Sequence, residues 1–219
     1  TRLDMLGRSV EMLKELIEQL KPYKIPGIVV TITNPADIVA DYVRKGLNLE
    51  RSRVFGTGTL LDTARLVRTL SEESGVARRS IQAYSLGEHG DSSMIPFSCV
   101  TIGGLPFEAY DISKEKVLEA TRQIGMTIIE GKKSTEFGIG RALTEMAACI
   151  LRNEKKIMPA SVLLQGEYGQ HDVHCGVPCL IGKNGIEKII ELPLTEEEQE
   201  MLNQSCEVIK KHIKMASKN

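Results

Sequence analysis

A short, nearly continuous apolar segment, Gly27–Ile32, limits most strongly how this chain can fold. Apolar residues at consecutive positions are typical of a strand that is buried on both faces, as strands of parallel sheets are. Asn34 and Pro35 follow the segment directly and predict the start of a helix, with Asn34 as the N-cap and Pro35 in the first turn. We expect this helix to run to about Arg44 and to end at Gly46.

The segments on either side complete an α/β pattern over residues 1–55. Apolar residues recur every three or four positions from Leu3 to Leu20, which predicts an amphipathic helix, and Val54-Phe55 predicts a second short strand. Helix, strand, helix and strand in this order indicate part of a parallel sheet. No Gly-x-Gly-x-x-Gly fingerprint occurs and no strand precedes the first helix. We therefore expect residues 1–55 to be the second half of a Rossmann-type dinucleotide-binding domain whose first half lies before Thr1.

Residues 56–219 have a different pattern and predict an α+β catalytic domain. The last helix of this domain is predicted to begin with a capping box formed by Thr195 and Glu198. Helices are also predicted at about 62–74 and around 117–128 and 139–150, and strands at about 80–86, 98–102, 160–165 and 173–181.

Composition excludes several classes of partner. A formal net charge of −1 gives no general attraction to nucleic acid or to anionic membranes, and no apolar run approaches the length of a spanning helix. Aromatic residues make up only 4% of the chain, too few to suggest base-stacking platforms. Its five cysteines are an odd number and widely spread, which favours reduced thiols and a cytoplasmic location.

Three polar residues in two segments could carry chemistry. Asp62 and Arg65 lie three positions apart at a helix start, and His89 is flanked by Gly87 and Gly90 at a predicted strand end. Taken singly, each has an ordinary explanation as a helix-terminal acid, a surface arginine or a solvated histidine. Together they are what oxidation of a 2-hydroxy acid requires: a base for the hydroxyl proton, a carboxylate that orients it, and a guanidinium for the substrate carboxylate.

The chain resembles the lactate/malate dehydrogenase family, and its lactate-type members most closely. The motifs occur in the family's order and nearly span the chain: Thr1–Asp4, Thr33–Asp37, Gly56–Gly58, Leu61–Arg65, Gly87–Ser92 and Val177–Cys179. The resemblance implies an NAD-dependent oxidoreductase that interconverts lactate and pyruvate, commonly as a homotetramer. Malate dehydrogenase is the alternative within the family. Glu88 and Thr135 favour the lactate type, but the residue that separates the two best is expected before Thr1.

The same resemblance implies a role for each site residue. His89 would donate and accept the proton, Asp62 would orient it, and Arg65 would bind the substrate carboxylate. Arg2 would polarise the reacting carbonyl. The remaining residues would line the site: Asn34 and Thr135 at the substrate, and Ile32, Thr33, Asn34 and Thr57 at the cofactor.

One regulatory property of the family is not expected here. Many bacterial relatives are activated by fructose 1,6-bisphosphate through an arginine and a histidine, and the matching positions hold Val67 and Gln82. Neither side chain can bind phosphate as a cation. We predict weak or absent activation, with the neighbouring Arg68 as the residue most able to restore it.

Three other interpretations remain open from the residues alone. His171, His174, Cys175 and Cys179 are zinc-type ligands, although adjacent strand residues would point to opposite faces, so no metal site is predicted. Ser92 or Ser93 with His89 could suggest a hydrolase, but the Gly-x-Ser-x-Gly elbow is absent. A chain without the first nucleotide-binding half could also be non-catalytic, and would then bind NAD poorly.

Overall fold

The protein is described by a computed structural model that covers residues 2–132 and 136–216, with side chains described from residue 11 onward except at positions 126, 129, 132 and 216. It is an α/β structure with six helices and eight strands in the described ranges. The helices are α1 (Arg2–Leu20), α2 (Ala36–Leu47), α3 (Leu60–Ser74), α4 (Lys114–Lys132), α5 (Glu136–Leu151) and α6 (Glu196–Ala216). The strands are β1 (Val29–Thr31), β2 (Val54–Gly56), β3 (Ile81–Gln82), β4 (Thr101–Ile102), β5 (Leu105–Pro106), β6 (Lys156–Gln165), β7 (His171–Gly182) and β8 (Gly185–Ile189).

The first part of the chain has the predicted helix, strand, helix, strand order. β1 and β2 pair in parallel, with Val29 opposite Val54 and Thr31 opposite Gly56. The crossover between them is α2, as parallel pairing requires. The carboxyl ends of β1 and β2 therefore meet at one edge of the sheet, where parallel sheets bind their ligands.

The ends of α2 differ from the prediction. The N-cap is Pro35, not Asn34, and it follows a cis Asn34–Pro35 peptide bond. Gly46 lies inside the helix, which ends at Leu47, and Asn48 adopts the left-handed conformation at the C-cap (φ 49°). A Cβ at Gly46 would lie 2.7 Å from the side chain of Ile17. The glycine thus allows α1 and α2 to pack closely, and does not end the helix.

The second part adds a long antiparallel hairpin to the same sheet. The strand order is β1-β2-β6-β7-β8, and β2 joins β6 through the antiparallel pair Gly56–Ser161. In this part of the chain the four predicted helices are confirmed, as are the two predicted strands that form the hairpin. The turn at 183–185 leads into β8. The predicted domain boundary between residues 55 and 56 falls inside β2 and stays a prediction.

The predicted strands at 80–86 and 98–102 are much shorter in the structure. Only Ile81–Gln82 and Thr101–Ile102 are strands, and they form a small sheet with β5. Pro96, which lacks an N–H, precedes a 3₁₀ turn over Phe97–Cys99 where a strand was expected. Residues after Gln82 run instead toward β7, and this segment is fixed by two isolated bridges, a local one between Leu86 and Met94 and a long-range one between Gly87 and Gly176 of β7.

The two largest apolar cores support these layers. The larger core packs α5 and α6 on β6 and β7, and includes Leu202, Cys206 and Ile209 of α6. The smaller core packs α3 and the start of α4 against the small sheet, with Phe97 and Phe107 in contact at 4.8 Å between ring centres. None of the helices in the described part of the chain has the length and apolar character needed to cross a membrane.

The α6 helix begins with the predicted capping box. The Glu198 backbone N–H donates to Thr195 Oγ1 at 3.2 Å, and the Thr195 N–H donates to Glu198 Oε2 at 3.1 Å. Glu198 also accepts a hydrogen bond from the Ser98 N–H at 3.0 Å. The cap therefore ties the start of α6 to the turn at Phe97–Cys99.

Candidate active site

The loop that carries His89 is held at its start by two glycines. Gly87 and Gly176 of β7 exchange both backbone hydrogen bonds, each at 2.9 Å. A Cβ at Gly176 would lie 2.7 Å from Thr59 Oγ1, and a Cβ at Gly87 would overlap Ser205 Oγ. Gly87 also has a φ of +93°, a conformation that side chains disfavour. Glycine at both positions lets the loop approach the sheet closely.

His89, Asp62 and Arg65 come together as the sequence predicts. His89 Nδ1 lies 2.6 Å from Asp62 Oδ2, and Arg65 Nη1 donates to Asp62 Oδ1 at 3.1 Å. The three side chains are 15–23% exposed, so they are shielded but reachable. One carboxylate thus orients both an imidazole and a guanidinium, from one face of the first turns of α3.

The surroundings of His89 favour its protonated form. Burial lowers the pKa of this histidine, but the hydrogen bond to Asp62 and the negative charges of Asp62 and Asp37 outweigh burial and Arg65. The net effect raises the pKa of His89 above its ordinary value of 6.5. An imidazole whose Nδ1 faces a carboxylate keeps Nε2 available to exchange a proton with a ligand.

Asp37 is a second carboxylate at His89 that the sequence analysis included in a motif but gave no role. The backbone N–H of His89 donates to Asp37 Oδ2 at 2.9 Å, and the Ser161 hydroxyl donates to Asp37 Oδ1 at 2.6 Å. Asp37 is only 3% exposed. Burial raises its pKa to about 6, although both hydrogen bonds oppose the rise. Its position in the first turn of a buried helix was the available signal.

The predicted cofactor residues divide into an exposed group and a buried one. Ile32, Thr33 and Asn34 follow β1 and are exposed at the carboxyl edge of the parallel pair. Thr57 is buried, and its N–H donates to the Thr31 carbonyl at 3.0 Å. Thr57 therefore extends the pairing of β1 and β2, while the three residues after β1 form the surface that a ligand could reach.

A cleft of about 710 Å³ opens beside Arg65 between α3, α4 and α5. Its walls are largely apolar, and Leu61, Ile124 and Phe137 contribute to them. Within the described residues, Arg65 Nε is buried and has no hydrogen-bond partner. A planar anion in this cleft could pair with that unused edge of the guanidinium.

Two predicted site residues lie wholly or partly outside the described part of the chain. Thr135 lies outside the described residues. Arg2 begins α1, but its side chain also lies outside the described part of the chain.

The residues considered for sugar phosphate binding do not form a cationic site. Val67 packs against the smaller core, and Gln82 is exposed on β3. Arg68 lines the cleft beside Arg65 and forms an exposed ion pair with Glu72 at 2.8 Å.

The structure separates the residues considered for a metal site and holds Ser92 away from the arrangement that a hydrolase needs. His174 lies 3.3 Å from Asp41, whereas the neighbouring Cys175 lies 3.6 Å from Cys206, on the other face of β7. Among the described residues no group of three or more metal-ligating side chains is assembled. The Ser92 hydroxyl donates to Glu88 at 2.6 Å, so it is held by a carboxylate other than the one that pairs with His89.

Comparisons with known proteins give consistent matches over the whole chain. Residues 1–56 match the family model "lactate/malate dehydrogenase, NAD binding domain", and residues 59–219 match the α/β C-terminal domain of the same family. The L-lactate dehydrogenase of Fusobacterium nucleatum is 43% identical over 225 residues, with 98% of this chain and 70% of that protein covered. That of Mycoplasma pneumoniae is 41% identical over 222 residues, with 99% and 71% covered.

Solved structures show the same similarity. A lactate dehydrogenase from a Medee basin deep-sea metagenome library has a TM-score of 0.93 and 36% identity, with 99% of this chain and 72% of that one covered. The malate dehydrogenase from Aeropyrum pernix has a TM-score of 0.92 and 36% identity, with 98% and 70% covered.

Proposed function

Because the chain belongs to the lactate/malate dehydrogenase family, we propose that it takes part in the NAD-dependent, reversible interconversion of L-lactate and pyruvate. The observation that carries the proposal is the His89–Asp62 contact at 2.6 Å, with Arg65 on the other oxygen of the same carboxylate. This set supplies the proton carrier and the carboxylate-binding cation that the reaction needs.

His89 is proposed to transfer the proton. In pyruvate reduction the imidazolium gives the Nε2 proton to the carbonyl oxygen, and in lactate oxidation the neutral ring removes it from the hydroxyl. Asp62 holds the Nδ1 proton, so the same tautomer and ring orientation serve both directions. The hydrogen bond to Asp62 and the nearby negative charges raise the pKa of His89, which favours the protonated ring that reduction needs.

Arg65 and Asn34 are proposed to hold the substrate. Arg65 has one Nη1 contact with Asp62 and a buried Nε without a partner in the described residues, so a substrate carboxylate can pair with the free edge. Asn34 stands at the exposed end of β1 and would hydrogen-bond the reacting oxygen. By resemblance, Arg2 would stabilise negative charge on that oxygen, and Thr135 would line the pocket.

The exposed residues after β1 fit the nicotinamide end of NAD. Ile32 is 42% exposed and offers an apolar face, while Thr33 and Asn34 offer polar groups beside it. A Cβ at Gly56, opposite Thr31, would lie 3.1 Å from Thr31 Oγ1. Glycine at this position therefore leaves room for the Thr31 side chain where β1 and β2 end. When bound, NAD supplies or accepts the hydride.

The test is His89→Gln, with His171→Gln as the matched control. His171 is an exposed histidine at the start of β7. We expect His89→Gln to lower kcat for pyruvate reduction by about 10²- to 10⁴-fold, followed by NADH absorbance, while NADH affinity measured by fluorescence is kept. His171→Gln should retain the parent rate. Full activity of His89→Gln would contradict the proposal.

Malate dehydrogenase is the second candidate, supported by the match to the Aeropyrum pernix enzyme. A substrate with a second carboxylate needs an additional cation. Parallel measurement of kcat/KM for pyruvate and oxaloacetate decides between them, and we expect pyruvate to be preferred. We further propose that the enzyme is cytoplasmic, forms lactate from pyruvate and assembles into a homo-oligomer. Sedimentation measurements test the oligomeric state.

A further inference from the structure

The buried carboxylate of Asp37 fixes the backbone at the histidine. Asp37 lies in the first turn of α2, yet its oxygens accept hydrogen bonds from two groups outside the helix, the His89 N–H and the Ser161 hydroxyl. A carboxylate that only capped α2 would accept from N–H groups of its own first turn. Asp37 instead connects α2, β6 and the His89 loop.

The two carboxylates constrain different parts of the same residue. Asp62 on α3 holds the imidazole through Nδ1, at 2.6 Å, and Asp37 on α2 holds the peptide N–H at 2.9 Å. Fixing the backbone and the ring together leaves little freedom for the position of Nε2. A displacement of about 1 Å at a reacting atom can cost about two orders of magnitude in rate.

The charges around this residue come from four elements. Asp62 and Arg65 face His89 from α3, Asp37 faces it from α2, and Glu88 precedes it in its own loop. His212 of α6 lies 3.7 Å from Glu88. Asp37 raises the pKa of His89, and His89 in turn lowers the pKa of Asp37, so the two groups stabilise each other's charged forms.

We propose that Asp37 is a positioning residue for proton transfer: it fixes the backbone of His89, and its buried negative charge favours the imidazolium. This inference rests on the proposed function for its catalytic meaning. The pairing of His89 with Asp37 can nevertheless be measured without substrate or cofactor.

The experiment is an NMR titration of the His89 ring in the parent chain and in Asp37→Asn. The four histidine signals are assigned by comparison with His89→Gln. An asparagine can accept from the His89 N–H and donate to the Ser161 hydroxyl, so the variant removes the charge and keeps both hydrogen bonds. We expect the pKa of His89 to fall. Asp172→Asn, which removes an exposed carboxylate, is the matched control and should leave this pKa unchanged.

Kinetics provide the second measurement. The limb of the pH profile that reports the imidazolium should move to lower pH in Asp37→Asn. Above that limb, kcat/KM for pyruvate reduction should fall about tenfold for each unit by which the pKa of His89 falls. At low pH, where the ring is protonated in both proteins, KM for pyruvate should be unchanged because Arg65 is untouched.

The outcomes separate this inference from the proposed function. An unchanged pKa of His89 in Asp37→Asn, or an equal fall in Asp172→Asn, overturns the inference even when the parent enzyme is active. A parent protein that reduces neither pyruvate nor oxaloacetate overturns the proposed function, whatever the titration shows. If Asp37→Asn does not fold, Ser161→Ala replaces it. Losing that hydroxyl makes the charged form of Asp37 less favourable, so the pKa of His89 should again fall, and an unchanged value refutes the inference.

Discussion

Asp37→Asn should make the protein more stable at neutral pH, by an amount that the burial of this carboxylate sets. Asp37 is 3% exposed, and its pKa rises from 3.8 to about 6 on folding, mainly because burial disfavours the charge. A folded pKa above the unfolded one means that the stability from this group is present below pH 3.8 and is lost as the pH rises through 6. The difference corresponds to about 3 kcal/mol at pH 7.5.

The asparagine variant carries no such dependence on pH. We expect its free energy of unfolding to exceed that of the parent at pH 7.5 and the excess to shrink by about 2 kcal/mol at pH 4.5, where the parent carboxyl is largely protonated. Urea unfolding of both proteins at the two pH values measures this difference, provided that the m-values agree. Ser161→Ala is the control and should deepen the loss of stability at high pH, because the Ser161 hydrogen bond lowers the pKa of Asp37. The reasoning fails if the difference between Asp37→Asn and the parent is the same at both pH values.

Three further changes test the site and its support. Asp62→Asn should lower the pKa of His89 and reduce kcat by about 10- to 150-fold, the value of one charge-assisted hydrogen bond; an unchanged pH profile would contradict this. Arg65→Lys should raise KM for pyruvate by about tenfold or more with a smaller effect on kcat, because an ammonium cannot pair with a carboxylate through two parallel bonds. Steady-state kinetics at saturating NADH measure both constants, and an unchanged KM would contradict this role. Glu198→Ala should lower the free energy of unfolding by about 1–2 kcal/mol through loss of the capping box, and urea unfolding with an unshifted midpoint would argue against that role.

Local pattern and family resemblance were enough to predict much of the geometry of the candidate site. The Asp62–Arg65 pair follows from helical spacing, and the contact of Asp62 with His89 was expected from the chemistry of 2-hydroxy acid oxidation and from the motifs. The Thr195–Glu198 capping box is likewise a local pattern and formed as predicted. Such features depend on residues within one turn or on motifs that can be recognised as units.

Contacts between distant residues could not be predicted in this way. Asp37 is 52 residues from His89 and 124 from Ser161, so its role depends on how α2 packs against the rest of the molecule. The sequence predicts a helix end at Gly46, because a glycine that allows close packing against Ile17 has the same sequence signal as a C-cap. In both cases tertiary packing, which a single sequence does not display, decided the outcome.

The glycine bridge beneath the His89 loop also limits how the sequence can change over evolution. Thr59 and Ser205 occupy the spaces that a Cβ at Gly176 or at Gly87 would need. A larger residue at Gly87 would require a smaller residue at position 205 and a new backbone conformation. A larger residue at Gly176 would require a smaller residue at position 59 and a shift of the Gly87 backbone, because the new Cβ would lie 2.9 Å from the Gly87 carbonyl oxygen. We therefore expect glycine to be kept at both positions across related sequences.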